Sequence, residues 1–361
     1  MQADDFQTAL FHAVDDLPPA VRTWMAADPA AGVYGHPDWY ANLWTAAMQT
    51  GGGTVAIHVV LRQGAPVLVL PLWVEANGRT ARSLANFYSP LALPNMAETV
   101  DSGAWHTLIA AVRRAHPRAT TVHLGPLPQA LTDRHGAVAV ALRSHGYKAL
   151  PYFCFGNWFM RPGSSWETYW AQRPPALRNT IARKRRKFER LGGHLRLYCG
   201  QDSVRDLEAG IAAFQQVYAE SWKGPEPHPA FMPSLMRLAA QLGWLRLGVA
   251  WLDKQPVAAQ VWLHAHGKTD IYKLAYREQY REWGAGSLLT AALMMQALTE
   301  DRAVEVDYLM GDDPYKADWV DQRRERWSMA AYAGWQVQGR WAWFKHQAGV
   351  WWRHVRKTLA A

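Results

Sequence analysis

The stretch YREQYREWGAGSLL, residues 276–289, leaves an apolar run through charged residues and reaches two glycines directly before a helical pattern. Small residues at 284–286 let a ligand approach the backbone, and the free N–H groups of a helix N-terminus attract phosphate oxygens. Arginines just upstream can add planar, charge-assisted hydrogen bonds. The stretch predicts either an ordinary tight turn or a diphosphate site, and the site would consist of Arg277, Arg281, Gly284, Ala285, Gly286 and Ser287.

The residues around this stretch predict a sheet that leads into it. Three strand-like runs precede it, LRLGVAWL (245–252), PVAAQVWLHAH (256–266) and TDIYKLAY (269–276). Short polar or glycine-containing turns separate them, so an antiparallel meander is expected. The helix-like SLLTAALMMQALTED (287–301) and the strand-like AVEVDYLM (303–310) follow.

The first half of the chain also alternates strand-like and helix-like segments. TVAIHVVLRQ (54–63) and APVLVLPLWVE (65–75) read as a strand pair, AWHTLIAAVRRAH (104–116) as a helix and TTVHLGPL (120–127) as a strand. The turn sequence RPGSS (161–165) then precedes another helix. We therefore predict an α/β (α+β) fold in two halves, with a boundary at this turn.

Composition indicates the number of domains, the charge of the partner and the location of the protein. The chain has 361 residues, a formal charge of +9 and 20 tryptophans, which favours two packed domains and an acidic ligand. The acidic N-terminal residues do not fit a secretory signal, and the apolar run VLVLPLWV (67–74) is too short to span a bilayer. We expect a cytoplasmic protein, with peripheral contact to the inner membrane surface as an alternative.

A family resemblance rests on two motifs. Arg281, Gly284 and Gly286 form R-x-x-G-x-G between a strand and a helix, which resembles the coenzyme A pyrophosphate loop of the GNAT acyltransferase superfamily. The downstream segment DYLMGDDPYKADW (307–319) resembles a branch known as cellulose-biosynthesis-associated, or CelD-like, acetyltransferases, which is similar to the Fem-type aminoacyl transferases. HPDWYANLW (36–44) and VLVLPLWVEANGR (67–79) resemble the opening segments of that branch.

This resemblance implies a tandem architecture. Two GNAT-like halves with mixed, mostly antiparallel sheets flanked by helices are expected. Residues 1–160 would form a degenerate N-terminal domain that shapes the acceptor cleft, and residues 165–340 would form the acyltransferase domain. Residues 341–361 would form a basic amphipathic C-terminal helix.

The resemblance also implies roles for individual residues. The acyl thioester would lie between the runs 269–276 and 303–310, and Tyr315 would protonate the departing thiolate. A phenol has a higher pKa than a thiol, from which we expect a downhill proton transfer. Asp312, Asp313 and Asp307 are candidate bases, although the adjacent pair could instead cap the following helix. Lys316 could stabilise an oxyanion, hold a phosphate or remain solvated surface.

The expected co-substrate is acyl-CoA, most simply acetyl-CoA, and no metal is expected because His264 and His266 have no third ligand nearby. The acceptor would be a small-molecule amine or an amino sugar. Attack would be direct, because neither Cys154 nor Cys199 has an activating neighbour. Two alternatives remain open: a Fem-like transferase that uses aminoacyl-tRNA, and a non-catalytic scaffold that binds polyanions or membranes.

Two basic segments bear on these alternatives. The helical segment 176–193 places Leu177, Ile181, Phe188 and Leu191 on one face and seven cations between residues 178 and 190 on the rest. It suits a polyanion such as CoA phosphates, tRNA or anionic lipid, or is simply solvated. The tail carries an apolar stripe that packs on the protein's own core or lies on a membrane, comprising Trp341, Phe344, Ala348, Trp352, Val355 and Leu359.

Overall fold

The structure is a computed structural model that describes residues 6–163 and 165–359, with side chains up to residue 348. The chain forms two compact units. Unit 1 contains the residues up to Cys154 and those from Glu325 onward, and unit 2 contains Phe155–Arg324. The boundaries at 160, 165 and 340 proposed from sequence motifs stay predictions.

The elements are numbered in chain order. The strands are β1 Phe6–Phe11, β2 Thr54–Arg62, β3 Ala65–Val74, β4 Thr80–Ser83, β5 Asn95–Met96, β6 Thr121–Pro128, β7 Tyr147–Met160, β8 His194–Tyr198, β9 Leu245–Leu252, β10 Gln255–Ala265, β11 Lys268–Tyr276, β12 Glu305–Asp307 and β13 Gln322–Ala333. The helices are α1 Pro19–Ala26, α2 Pro37–Leu43, α3 Ser102–Ala115, α4 Gln129–Thr132, α5 Ala137–Ser144, α6 Trp166–Gln172, α7 Pro175–Arg190, α8 Val204–Ala219, α9 Phe231–Gln241, α10 Ala285–Thr299 and α11 Val337–Leu359.

The two units repeat one strand pattern. In unit 1 the strand order is β1-β2-β3-β4-β6-β13, with β5 beside β3, and only β4 and β6 of these pair in parallel. In unit 2 the order is β8-β9-β10-β11-β12-β7, and only β11 and β12 pair in parallel. Each parallel pair is separated in sequence by a long helix, α3 or α10. The predicted tandem α/β fold with mostly antiparallel sheets is confirmed.

Strands β7 and β13 are each divided between the units. β7 contributes Phe155–Met160 to unit 2, where it pairs with β12, and β13 contributes Glu325–Ala333 to unit 1, where it pairs with β6. Unit 1 therefore depends on residues that follow all of unit 2 in sequence.

Helix α10 forms the centre of the unit 2 core. Its sequence is apolar on nearly every face, as expected for a helix covered on several sides. It packs against β9, β10, β11, α6 and α7, and its buried side chains include Leu288, Leu289, Leu293 and Met294. This packing fixes the N-terminal end of α10 beside the end of β11.

Among the described residues, no helix combines the length and apolar character needed to cross a bilayer.

Candidate active site

Strand β12 pairs with only the first three residues of β11. The parallel register runs from Lys268 opposite Glu305 to Asp270 opposite Asp307, and β11 then continues six residues beyond it to Tyr276. An extra residue, Tyr272, interrupts the register between β11 and β10, and such a bulge bends a strand. Because β12 ends at Asp307 and the chain turns at Leu309, where φ is 55°, β12 leaves the backbone edge of β11 uncovered beyond Asp270, towards the N-terminus of α10.

The N-terminus of α10 carries no side-chain cap. Gly284 occupies the cap position with φ of 68°, a left-handed conformation that favours glycine, and no side chain accepts a hydrogen bond from the first turn. A Cβ at this position would lie 2.3 Å from Cδ of Lys184. Gly284 is thus required both by its backbone conformation and by the close approach of Lys184.

At Gly286, unlike Gly284, the surrounding protein atoms do not require glycine. A Cβ here would lie 3.7 Å from Cδ1 of Tyr276, an ordinary van der Waals contact, so the protein's own packing leaves room for one. Ala285 is buried and Ser287 is exposed. The open space in front of Gly286 fits a ligand that approaches the first-turn N–H groups.

The two predicted phosphate-binding arginines differ in their availability. The Arg281 side chain is 74% exposed and lies 3.4 Å from Glu278. Arg277 is mostly buried and pairs with Glu220. Only Arg281 extends freely from the turn.

Helix α7 supplies further cations beside this turn. Lys184 Nζ donates a hydrogen bond of 2.8 Å to the carbonyl of Glu282, and Lys187 Nζ lies 4.5 Å from the centre of the Trp283 ring. Sequence reasoning missed the proximity of these lysines to the glycine turn, because only tertiary packing brings the two segments together. Further along α7, an open cavity of about 710 Å³ is lined by Arg183, Arg186, Glu189 and Arg190.

Tyr315 lies on a short 3-10 turn, Pro314–Asp318, after β12, and it is 45% exposed. Burial, followed by the nearby Asp313 carboxylate, raises the pKa of Tyr315 to about 12. The expected downhill transfer is wrong in direction, because a proton passes downhill from the acid of lower pKa and a thiol has a pKa of about 8.5. Tyr315 is therefore suited to donating a hydrogen bond to a thiolate rather than to giving up its proton completely.

The two adjacent acids are not helix caps. Asp313 occupies the cap position of the 3-10 turn but makes no side-chain capping hydrogen bond. Its side chain is 60% exposed and lies 3.4 Å from Lys316 Nζ. Asp312 accepts hydrogen bonds from Arg323 and from Trp158 Nε1, which hold the pKa of that carboxyl below its usual value. Of the two, Asp313 is the better placed to accept a proton.

Lys316 is not a solvated surface lysine. It is 4% exposed, and its Nζ donates hydrogen bonds of 2.7 and 2.9 Å to the carbonyls of Met310 and Gly311. Burial, opposed by Asp313, lowers the pKa of its ammonium. Lys316 thus fixes the backbone turn that carries Asp313 and Tyr315.

A buried charge cluster holds the strands together where they begin to diverge. Asp307 is fully buried, lies 3.2 Å from Lys268 Nζ and pairs with Arg324. Lys268 also lies 3.1 Å from Asp270, and although burial opposes it, these carboxylates raise the pKa of Lys268. Asp307 therefore holds β12 in register, and its burial and two cationic partners leave it poorly placed to serve as a base.

The C-terminal helix departs from its predicted packing. Trp341 and Phe344 stack on each other and are 56% and 58% exposed. Helix α11, which belongs to unit 1, instead contacts the rest of that unit through two other residues. The Trp343 ring lies 3.9 Å from Lys148 Nζ, and His346 is 2.6 Å from the Tyr332 hydroxyl. Of the two alternatives predicted for the apolar stripe, packing on the protein's own core is wrong for Trp341 and Phe344. Trp352, Val355 and Leu359 lie outside the described side chains.

The cysteines and the candidate metal ligands were the remaining side chains singled out in the sequence. Cys154 and Cys199 are half-buried, and burial raises the pKa of the Cys154 thiol. The described residues contain no cluster of three or more His, Cys, Asp or Glu side chains arranged to hold a metal.

Comparisons with known proteins find a family match for part of the chain and similar folds among solved structures. Residues 175–317 match the family described as "Acetyltransferase (GNAT) domain". A sequence search of curated proteins finds no significant match. Among solved structures, FemX has a TM-score of 0.61 at 9% identity, over 89% of this chain and 96% of FemX. The C-terminal domain of a putative lysylphosphatidylglycerol synthetase from Agrobacterium fabrum has a TM-score of 0.55 at 13% identity, over 91% of this chain and 94% of that one.

These findings agree with the motif-based resemblance at the level of the superfamily. The narrower resemblance to the CelD-like branch stays a prediction. The domain match supports a transferase activity for the part of the chain that it covers. Residues 175–317 therefore match a GNAT acetyltransferase domain, and the fold of the chain is similar to that of FemX.

Proposed function

We propose that this protein is an acyl-CoA-dependent N-acyltransferase that transfers an acyl group, most simply acetyl, to an amine or amino-sugar acceptor. The observation that carries the proposal is the uncapped N-terminus of α10, which lies at the end of the open edge of β11. The residues present fit the co-substrate, because the first-turn N–H groups and Arg281 would hold the pyrophosphate. The acyl thioester would then lie along β11.

The chemistry needs three contributions from the chain. The acceptor amine must lose a proton to attack, and Asp313 is the exposed carboxylate proposed to receive it, directly or through water. Tyr315 donates a hydrogen bond to the sulfur as the C–S bond breaks. Lys316 keeps both residues on one turn.

Unit 1 supports a different role for the first half. Its equivalent helix, α3, is capped by Asp101, whose carboxylate accepts a hydrogen bond of 3.0 Å from Ala104 N and pairs with Arg62. A carboxylate already occupies the position that a phosphate would need and repels a second anion. We therefore assign donor binding to unit 2 alone, with unit 1 as the degenerate half.

An aminoacyl-tRNA donor is the second candidate. The cations of α7 favour it, because Arg183, Arg186 and Arg190 line an open cavity and no carboxylate among the described residues forms an ion pair with them. Binding that depends on these three arginines and weakens steeply with salt would indicate a nucleic-acid backbone.

Peripheral membrane contact remains a separate proposal about partners. The exposed Trp341–Phe344 pair lies beside Arg340 and Lys345, and Lys345 Nζ is 4.8 Å from the Trp341 ring. Exposed aromatic rings beside cations suit an anionic lipid surface.

The deciding experiment is a thermal-shift titration with CoA, acetyl-CoA and a longer acyl-CoA, followed by thiol-release assays with acetyl-CoA and a panel of primary amines and amino sugars. A ligand that binds the folded state alone raises the melting temperature, by about 2.7 kcal/mol of stability at a hundred times its dissociation constant. We expect a saturable rise and amine-dependent thiol release. If no CoA ligand raises the melting temperature and aminoacyl-tRNA does, the acyl-CoA donor is excluded and aminoacyl-tRNA becomes the proposed donor.

Replacing Gly286 by valine is expected to weaken CoA binding by roughly 10- to 100-fold, about 1.4–2.7 kcal/mol, because the branched side chain fills the space in front of the first-turn N–H groups. The fold should survive, since the nearest atom to a Cβ is 3.7 Å away. Gly286→Ala is the matched control and should lose less affinity. Normal CoA binding by a folded Gly286→Val protein would remove the phosphate-loop assignment.

A further inference from the structure

Lys223 occupies the open edge of β11. It lies in the segment between α8 and α9, where Ser221 forms an isolated antiparallel bridge with Arg277. Lys223 Nζ donates a hydrogen bond of 2.7 Å to the carbonyl of Leu274. Leu274 lies beyond the last residue of β11 that pairs with β12. The amine therefore lies at the part of β11 that β12 does not cover.

The surroundings of Lys223 are aromatic and charged. Its Nζ lies 5.5 Å from the Trp222 ring and 5.8 Å from the Tyr218 ring, while the described residues provide no carboxylate within ion-pairing distance of it. Burial, and then the charge of Lys273, lower the pKa of Lys223 to about 8. The charges of Glu226, Asp313 and Lys316 also act on it, which places it near the turn that carries Tyr315.

The other lysines of this region are more firmly held. Lys273 forms an ion pair with Glu226. Lys316 donates to two carbonyls and lies 3.4 Å from Asp313. Lys223 Nζ donates to a single backbone acceptor. It therefore loses fewer interactions than the other two lysines when it turns towards a ligand in the opening, the space along the edge of β11 that β12 does not cover.

We propose that Lys223 is an acyl acceptor within the protein itself, so that a donor thioester bound along β11 acylates its Nζ. The inference rests on the proposed acyl-CoA donor. The neutral amine attacks the thioester carbon, an N–C bond forms and the C–S bond breaks. The proton lost by the nitrogen neutralises the departing CoA thiolate.

The product is an amide, which resists further transfer. Acyl-Lys223 is therefore a modified form of the enzyme rather than a turnover intermediate. It removes one positive charge from the opening and places an acyl group beside Leu274. Accumulation of this form should weaken subsequent donor binding.

The test incubates the full chain with isotopically labelled acetyl-CoA in the absence of an acceptor, and peptide mass mapping locates the label. We expect labelling concentrated at Lys223. Because the neutral amine reacts, the rate should rise about tenfold per pH unit up to the pKa of about 8 and then level off. The titratable groups that act on this amine are Tyr218, Lys273, Glu226, Asp313 and Lys316. None of them is the nucleophile, so the predicted rise in labelling rate below pH 8 follows the fraction of Lys223 that is neutral.

Matched variants separate this reaction from non-specific acetylation. Lys223→Arg keeps the charge but should lose the label while still binding CoA, and Lys254→Arg, at an exposed turn, should leave labelling at Lys223 unchanged. Gly286→Val should abolish the preference for Lys223. CoA binding with label spread equally over surface lysines would overturn this inference alone. Absence of any CoA-induced thermal shift would overturn both it and the proposed donor.

Discussion

Turnover in the acetyl-CoA and amine assay is expected to fall by roughly 10²- to 10³-fold when Tyr315 is replaced by phenylalanine, the range for loss of one hydrogen-bond donor to a developing anion. The phenol is partly exposed on the turn after β12, and the substitution removes only its hydroxyl. Affinity for CoA should change little, because the proposed phosphate contacts are at the N-terminus of α10 and do not include the Tyr315 hydroxyl. Initial rates at saturating donor, together with CoA titrations, check both expectations.

The pH profile distinguishes this role from that of an ordinary titrating acid. With a pKa of about 12, Tyr315 stays protonated up to about pH 11, so it should cause no loss of turnover between pH 7 and 10. Tyr152→Phe is a suitable control, since that tyrosine is 38% exposed in unit 1. Equal turnover of Tyr315→Phe and the wild-type protein would exclude Tyr315 from the chemistry.

The second large effect concerns stability. Asp307→Asn is expected to destabilise unit 2 by about 3 kcal/mol, because it removes the fully buried carboxylate of the cluster and leaves Lys268 and Arg324 with less compensating charge. Asp307 is fully buried between Lys268 and Arg324. Urea unfolding should show a lower midpoint with an unchanged slope.

Two further variants test the cause of this loss. Asp318→Asn removes the same charge at an exposed position and should change stability by less than about 0.5 kcal/mol. Lys268→Met added to Asp307→Asn should lower the stability further rather than restore it, since the buried Asp270 carboxylate, 3.1 Å from Lys268 Nζ, then also loses its cation. A loss no larger than that of Asp318→Asn would mean that the cluster does not hold the strands.

The sequence predicted the regular elements of unit 2 closely. The run 245–252 is β9, and the next two runs differ from β10 and β11 by one residue. These elements follow from local patterns of apolar residues and polar turns. The run 303–310 was a poorer prediction, because only Glu305–Asp307 is a strand and the chain then turns away at Leu309, where φ is 55°.

The site was less predictable than the elements around it. The glycine turn was visible because it is local, and Tyr315 was found through a family resemblance. Lys223 was missed because its segment, SWKGPEPHP (221–229), contains no motif, and its contact with Leu274 joins residues 51 positions apart. The pairing of Arg277 with Glu220 was also invisible, since it depends on the same long-range approach.

The division of β13 between the units has a consequence for synthesis on the ribosome. Domains usually fold in the order in which they emerge, N-terminal first. Here Phe155–Arg324 are contiguous, whereas β6, which pairs with β4 on one side, obtains its second partner only when Glu325–Ala333 have emerged. The edge of β6 thus stays unpaired during translation of the entire second unit, and an unpaired edge invites pairing with other chains. Unit 2 can complete its fold before the unit that begins before it in sequence, so a ribosome that stalls before residue 325 would release a folded second unit, with its proposed donor site, attached to an unfinished first sheet.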